Sequence, residues 1–151
     1  MIAFTSSIRR AGTLAGVALL SLLCGRSAVA EESVATNVIE FETQNRNDAG
    51  VVRCGLFKEG GWLKDAFRFS IVNVSGKTAL CIFKDVPSGT YGISAFHDEN
   101  NDGKLDTNLV GYPVEEYCSS KNARNMFSAP SWKDAKFSYK GGTVRLRAVM
   151  K

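Results

Sequence analysis

The amino-acid sequence predicts an all-β fold, an antiparallel β-sandwich of about seven strands of the immunoglobulin-like or transthyretin-like kind, with one long irregular loop region. Two observations predict this class. Short runs that alternate apolar and polar residues, rich in Val, Ile, Thr, Tyr and Phe, follow one another along the chain. Clusters of Gly, Pro, Asn and Asp separate these runs at intervals of roughly 8–12 residues, and little helical periodicity is present.

The first four strands are predicted in the N-terminal half of the domain. They are bounded by the polar residues 44–50, by Gly60 and Gly61, and by a tight turn at residues 75–77. Residues 62–69 are predicted as a short helical turn or a loop. All predicted strands, in chain order, are residues 38–42, 51–58, 70–74, 78–83, 91–97, 137–139 and 143–149.

The second half of the domain begins with a Pro and Gly turn at residues 85–90, which precedes the fifth strand. Residues 98–133 form a polar stretch rich in Asn, Asp and Gly, which we predict to be a long loop. Since such a long loop inside a compact domain is usually functional or ordered by something else, it is the first candidate for a site. Gly141 and Gly142 separate the last two strands, which are predicted to pair as a C-terminal hairpin.

Residues 1–30 have the three-part pattern of a cleavable signal peptide. Arg9 and Arg10 precede an apolar run at residues 11–24, and a small-residue segment ends at Ala30, where we predict cleavage. The apolar run is shorter than the ~20 residues of a membrane span, so no transmembrane segment is expected after cleavage. Residues 31–151 are predicted as one domain, secreted or periplasmic through ordinary Sec-type export. A lipoprotein site at Cys24 is disfavoured because a leucine precedes it.

The charge of the exported domain argues against a nucleic-acid partner. The whole chain carries a net charge of +4, but its first 30 residues hold three Arg and no acidic residue, which leaves 16 basic against 15 acidic side chains. Phosphate binding depends on clustered Lys and Arg, which a chain of net charge +1 without a basic stripe does not provide.

The exported domain has three cysteines, Cys54, Cys81 and Cys118, which allow one disulfide and one free thiol. Cys54 and Cys81 lie in two apolar strand-like runs, so a bridge between them would tie two strands together. The alternative is three buried free thiols that act as small apolar residues.

One segment has the spacing of a calcium-binding loop. Residues 98–106 place oxygen-bearing side chains at loop positions 1, 3, 5 and 9 and a glycine at position 6, as in the EF-hand. The predicted calcium ligands are the side chains of Asp98, Asn100, Asp102 and Asp106 and the main-chain carbonyl of Lys104.

This loop departs from the EF-hand at its end and in its flanks. Leu109 stands at position 12, where the EF-hand has a bidentate Glu, and a strand precedes the loop instead of a helix. We therefore expect a weak site on a β scaffold, with Glu115 or Glu116 as a replacement carboxylate. The alternative is a loop whose Asp and Asn side chains bond only to nearby backbone.

Other catalytic or metal motifs are not apparent in the sequence. His97 is the only histidine, and we expect it to be a structural residue at a strand end. Trp62 and Trp132 are predicted to pack in the core or at its rim, although either indole is also suited to stacking on a sugar.

Four segments resemble a family of secreted bacterial proteins, domain of unknown function 2141 (DUF2141). They are residues 85–91 (DVPSGTY), 96–108 (FHDENNDGKLDTN), 111–115 (GYPVE) and 129–137 (APSWKDAKF). The resemblance implies a secreted or periplasmic β-sandwich without an established activity. Cys118 departs from the family pattern, so it is a local addition and a family-wide disulfide is not implied.

Taken together, the sequence predicts an exported, non-enzymatic β-sandwich whose loop is stabilised by calcium and forms a binding surface for an envelope or extracellular partner. Two alternatives stay open. One is an envelope hydrolase that acts on a glycan or peptide, with the aromatic residues of the loop region lining a cleft. The other is a structural protein that associates through an exposed sheet edge.

Overall fold

A computed structural model describes residues 37–126 and 128–151; the predicted signal peptide lies outside these residues. Within these ranges the strands are β1 (Val38–Gln44), β2 (Val51–Phe57), β3 (Ala66–Asn73), β4 (Thr78–Phe83), β5 (Gly89–Asp98), β6 (Tyr117–Ser119), β7 (Phe137–Tyr139) and β8 (Thr143–Val149). The helical elements are 3₁₀ turns at Glu59–Gly61 and Ser120–Asn122 and the one-turn helix α1 (Trp132–Ala135). No helix in the described part of the chain is long and apolar enough to cross a membrane.

The strands form two sheets, which confirms the predicted all-β sandwich. The smaller sheet has the order β4-β1-β8. The larger, five-stranded sheet has the order β3-β2-β5-β6, and β7 pairs with the first residues of β5. Most pairs are antiparallel, as predicted, but β1 and β8 run parallel, with Val38 opposite Thr143. Because a parallel pair needs a long crossover, only strands far apart in the chain can form one, and β1 and β8 are the first and last described strands.

The predicted C-terminal hairpin is wrong. β7 pairs with β5 and β8 pairs with β1, so the turn at Gly141 and Gly142 carries the chain from one sheet to the other. Both glycines have positive φ, and the Gly142 N–H donates to the Asn37 side chain while its carbonyl accepts from the Val38 N–H. These contacts with the start of β1 direct β8 to that strand, which the local Gly-Gly signal could not reveal.

Two segments contain more strand than the sequence predicts. Residues 66–69, predicted as a helical turn or a loop, belong to β3, where the Phe67 ring packs on the buried Tyr91 ring at 5.8 Å. The long loop region 98–133 contains the short strand β6, which extends the larger sheet beside β5. Tertiary pairing overrides weak local propensity in both segments.

The core lies between the two sheets and is closed by a disulfide. Its fully buried side chains include Phe41 and Phe83 from the smaller sheet and Leu56 and Ile93 from the larger one. Of the two alternatives for the cysteines, the structure has the bridge: Cys54 on β2 and Cys81 on β4 are bonded, so the disulfide joins one sheet to the other.

Cys118 is the free thiol among the described residues, and it is buried. Burial raises the pKa of this thiol to about 12, an effect that the nearby Arg124 only partly opposes. Because the thiolate is the reactive form, Cys118 is an inert packing residue at physiological pH.

Candidate functional site

The candidate site lies on the outer face of the five-stranded sheet, which points away from the core. Side chains alternate along β2, so Val52 and Leu56 are buried in the core while Arg53 lies on the opposite face. The ladder places Arg53 beside Phe96 of β5 and Ile71 of β3 on that outer face. This face would be open to water in a simple sandwich, but here the loop region 98–133 covers part of it.

Gly55 occupies the centre of the outer face. Its neighbours across the ladder are Ser94 on β5 and Phe69 on β3. A Cβ atom at Gly55 would lie 2.5 Å from the Phe57 ring, so this ring rests directly on the glycine. The Phe57 ring therefore occupies the space above Gly55, and a depression remains beside this ring, next to Ser94.

A cavity of about 500 Å³ lies between this depression and the loop region. Its volume is typical of small-molecule sites, which span ~300–1,000 Å³ and have mostly apolar walls. Most of its lining is apolar, and the residues that line it are Arg53, Cys54, Gly55, Phe57, Leu63, Phe69, Ser94, Ala95, Phe96, Leu105, Thr107, Gly111, Tyr112, Pro113, Tyr117, Asn125, Met126, Ser128, Ala129 and Pro130.

The opening of this cavity is apolar as well. Phe69, Tyr112 and Met126 line the cavity although 74%, 60% and 81% of their surface is exposed, and Leu63 beside them is also exposed. These four residues are called the apolar mouth below. A cluster of exposed apolar side chains around a cavity marks a binding surface more strongly than scattered single residues do.

Two tryptophans fasten one end of the loop region to the sheet. A Cβ atom at Gly92 would lie 2.7 Å from the Trp62 ring and 3.0 Å from the Trp132 ring, so both indoles rest on this glycine of β5. The two rings meet edge to face at 5.6 Å, and Trp62 Nε1 donates to the carbonyl of Pro130 at 2.8 Å. Pro130 lines the cavity, so this packing fixes part of the cavity wall.

The predicted calcium loop lies at the other end of the loop region. Asp98 ends β5 and is fully buried. Its Oδ1 accepts from the Asp102 N–H at 3.0 Å and its Oδ2 accepts from the Gly103 N–H at 2.9 Å, while Arg53 Nε donates to Oδ2 at 2.5 Å. The Asp98 carboxylate thus holds the turn of the loop. Through Arg53 it also connects this turn to the cavity floor, which is the part of β2 that lines the cavity.

The pKa of Asp98 reflects this arrangement. Burial of the carboxyl acts to raise its pKa, but the hydrogen bonds from Arg53, Gly103 and Asp102 and the charge of Arg53 outweigh burial and lower the pKa below its ordinary value. Asp98 is therefore a buried carboxylate that stays ionised at neutral pH.

The other predicted ligands bond mainly within the loop. Asn100 Oδ1 accepts from the Asp102 N–H at 3.0 Å, and Asp102 Oδ1 accepts from the Lys104 N–H at 2.8 Å. Asn100 Nδ2 donates to Asp106 Oδ2 at 2.9 Å. These Asx turns fold residues 98–106 into a compact loop. The described residues include no group of three or more His, Cys, Asp or Glu side chains placed to hold a metal ion.

Glu115 closes the loop as a clamp. Its Oε1 accepts from the Glu99 N–H at 2.9 Å and its Oε2 accepts from the Asp106 N–H at 3.1 Å, so one carboxylate holds both ends of the loop. Of the two glutamates considered as replacements for the missing position-12 ligand, Glu115 is the one brought to the loop. Glu116 instead accepts from the Arg46 N–H at 2.9 Å.

His97 and Glu99 connect the loop to the segment between β1 and β2. His97 is buried, and its Nε2 lies 2.6 Å from the Ala49 carbonyl. Burial acts to raise the pKa of Glu99, but hydrogen bonds from Arg46 and Asn47 and the charge of Arg46 lower it on balance. These contacts make His97 and Glu99 parts of the scaffold that positions the loop.

Sequence reasoning included a cleft lined by loop aromatics only as an alternative, and it missed most of the residues that build the cavity. Phe57, Phe69 and Phe96 come from three strands and Met126 from the loop region, so no local spacing connects them. Arg53 was also missed as the partner of Asp98. The available signal was its charge within an otherwise apolar strand, since such a charge needs a partner when the strand is paired on both sides.

The fold and the site together define a β-sandwich protein whose outer sheet face forms an apolar cavity with a long, internally bonded loop. A family model described as an uncharacterized protein conserved in bacteria matches residues 43–147, so the chain belongs to the DUF2141 family, as its sequence motifs predict. No curated protein and no solved structure matches the chain.

Proposed function

We propose that this protein is an exported, non-enzymatic binding domain whose cavity takes an apolar ligand. The observation that carries the proposal is the cavity of about 500 Å³ with an apolar wall and an exposed apolar mouth. The position of Glu115 and Glu116 supports binding over hydrolysis, because both carboxylates accept backbone N–H groups of the scaffold.

Export is part of this proposal. The signal-peptide pattern of residues 1–30 and the bridge between Cys54 and Cys81 support it together, because disulfides persist mainly in oxidising compartments outside the cytoplasm. The ligand is accordingly one that the protein meets in the envelope or outside the cell.

Binding of N-phenyl-1-naphthylamine, a neutral apolar fluorophore, tests the cavity. We expect the protein starting at Glu31 to bind this probe with increased, saturable fluorescence. Ser94→Trp is expected to abolish binding, because the indole would fill the depression beside Gly55. Phe69→Asp is expected to weaken binding at least ~10-fold, since it places a charge in the apolar mouth.

Ile82→Asp is the matched control for these variants. Ile82 is an exposed apolar strand residue like Phe69, but it belongs to β4 of the smaller sheet and lies outside the cavity lining. Unchanged probe binding is expected in this control. Equal probe fluorescence from wild type, Ser94→Trp and Phe69→Asp would show that the cavity is not the binding site.

We further propose that residues 98–106 bind calcium weakly and thereby stabilise the wall of the cavity. The loop charges support this proposal. Asp98 is paired with Arg53, but the carboxylates of Asp102 and Asp106 take part in no ion pair among the described residues. Two uncompensated carboxylates beside the Asn100 side chain favour a hard cation. Because the bidentate Glu of the EF-hand is missing, we expect a Kd of roughly 10⁻⁴–10⁻³ M.

Thermal unfolding in 5 mM calcium tests this site. For a Kd near ~0.5 mM, mass action predicts about 1.4 kcal/mol of stabilisation, which corresponds to an increase in Tm of roughly 5 °C for a domain of this size. Asp102→Asn is expected to lose most of this increase.

Magnesium at the same concentration and the variant Asp65→Asn serve as controls. Magnesium is expected to give a smaller increase because it demands a rigid octahedral shell. Asp65 is an exposed aspartate outside the loop, so its substitution should leave the calcium effect unchanged. A wild-type Tm that is the same in calcium and in a chelator would contradict the calcium proposal and leave the cavity proposal standing.

A further inference from the structure

The most exposed apolar side chains of the described chain lie in the turn between Thr107 and residues 111–113, all of which line the cavity. Leu109 is fully exposed and Val110 is 87% exposed. Thr107, Gly111 and Pro113 line the cavity while Leu109 and Val110 do not, so these two side chains stand on the rim of the site. Residues 107–113 are called the lip below.

The lip is an ordered hairpin. Thr107 pairs with Pro113 at its base. Above this bridge, the Asn108 N–H donates to the Tyr112 carbonyl at 2.8 Å, and the Gly111 N–H donates to the Asn108 carbonyl at 2.9 Å. Asn108 Oδ1 accepts from the N–H groups of Val110 and Tyr112, each at 3.0 Å. The exposed Leu109 and Val110 side chains are therefore presented by a fixed turn.

These hydrogen bonds reduce the number of open backbone donors that the lip would bring to a lipid surface. An unsatisfied N–H group is costly in lipid, but four N–H groups of this turn, those of Asn108, Val110, Gly111 and Tyr112, already have partners within it. Bonded in this way, the turn offers few open backbone donors to a protein partner. It offers two aliphatic side chains to an apolar phase.

The cavity wall favours an uncharged chain over a charged ligand. Arg53 is the one ionisable Lys, Arg, Asp, Glu or His side chain in the described lining, and Asp98 already neutralises it. The remaining wall is built from aromatic and aliphatic side chains and a few neutral polar groups. Tyr112 belongs both to the apolar mouth and to the lip, and Leu109 and Val110 stand two to three residues from it in the same turn.

We propose that the lip contacts a lipid surface and that the ligand of the cavity is the hydrocarbon chain of an amphiphile, such as a fatty acid, taken up from that surface. This inference rests on the proposed function, because it identifies the ligand class of the same cavity. Because the lip carries cavity-lining residues, its contact with a bilayer would place the opening of the cavity beside the lipid, and this contact explains why Leu109 and Val110 are held exposed.

Transfer of a pyrene-labelled fatty acid from phosphatidylcholine vesicles that contain a lipid-bound quencher tests this proposal. Arrival of the label in the protein raises its fluorescence. If transfer occurs by contact, its rate increases with vesicle concentration; if the fatty acid diffuses through water, the rate is independent of it. We expect contact transfer by the wild-type protein.

The test variant is Leu109→Ser with Val110→Ser, and the control is Ile82→Ser on the other sheet. The lip variant is expected to bind the fatty acid from solution as wild type does, because neither residue lines the cavity. Its transfer rate is expected to fall on the order of 10-fold and to lose its dependence on vesicle concentration, because two apolar side chains no longer enter the lipid. The control is expected to behave as wild type in both assays.

Each failure has a separate meaning. Equal, vesicle-independent transfer by wild type and the lip variant would overturn the lipid contact while the binding function stands. Binding of N-phenyl-1-naphthylamine without binding of the fatty acid would overturn the ligand class alone. Binding of neither probe would overturn the proposed function itself.

Discussion

Replacing both Cys54 and Cys81 with Ala is expected to lower the free energy of unfolding by about 3–4 kcal/mol. The two cysteines are 27 residues apart, and the chain-entropy estimate for closing a loop of this length gives that magnitude. For a domain of this size, the loss corresponds to a decrease in Tm of roughly 10–15 °C. Thermal and urea unfolding of the oxidised wild type and the double variant measure it.

Cys118→Ala provides the matched control for the disulfide. Cys118 is buried like the other two cysteines but forms no bridge, so this variant measures the loss of a buried sulfur alone. We expect it to cost about 1 kcal/mol. A reducing agent should lower the Tm of the wild type and leave that of the double variant unchanged. A wild-type Tm that is insensitive to reduction would contradict a stabilising role of the bridge.

The disulfide also matters for the site because of where Cys54 lies. Its neighbours in β2, Arg53 and Gly55, are both on the cavity floor, while its own side chain crosses the core to Cys81 on β4. The bridge thus fixes the strand that carries the floor to the opposite sheet. Loss of the bridge is expected to weaken binding of apolar probes as well as stability.

Sequence patterns predicted most of the fold, because strand formation depends on local alternation and turns. The bounds of β4, β7 and β8 agree with the predicted segments. The partner strands of β7 and β8 could not be predicted from the sequence. A Gly-Gly turn specifies only a change of direction, and contacts such as that between Asn37 and Gly142 determine which strand β8 pairs with.

The candidate site likewise has one part that the sequence predicts and one part that it does not. The sequence predicts the loop because the oxygen-bearing side chains of residues 98–106 are close together in the chain. The walls of the cavity could not be predicted, because Phe57, Phe69 and Met126 meet only after two strands and the loop region have assembled. The role of Glu115 could be predicted only in part. Glu115 is near the loop in sequence, but the Glu99 and Asp106 N–H groups that donate to its carboxylate point toward it only in the folded turn.

Asp98→Asn is expected to have the second large effect, a loss of about 3 kcal/mol at neutral pH. The substitution keeps the shape of the side chain but removes the charge opposite Arg53, whose side chain is itself mostly buried. Removing one partner of a buried ion pair costs roughly 3–5 kcal/mol, and the partial exposure of Arg53 places this pair at the lower end. The amide also replaces one acceptor of the Asp102 and Gly103 N–H groups with a donor.

This variant also tests the pH dependence of stability. The pKa of Asp98 is lower in the folded protein than its ordinary value, so in acid the unfolded chain binds more protons than the folded one. The stabilisation from this carboxylate is therefore complete above its unfolded pKa, which is about 3.9, and is lost as the pH falls below that value through the folded pKa. Asp98→Asn should unfold with a weaker pH dependence over this range. Ile82→Ser, an uncharged substitution on the smaller sheet, is the control and should retain the wild-type dependence.

A double-mutant cycle with Arg53→Met separates the ion pair from the turn contacts. If the cost of Asp98→Asn comes mainly from the unpaired Arg53, removing Arg53 as well should cost less than the sum of the two single losses, with a coupling of about 1–2 kcal/mol. Strict additivity would assign the whole effect to the Asp102 and Gly103 N–H groups.

In either case Asp98→Asn should also weaken binding of N-phenyl-1-naphthylamine, because Asp98 links the loop to Arg53 on the cavity floor. Full probe binding by a destabilised Asp98→Asn protein would mean that the cavity forms without this link.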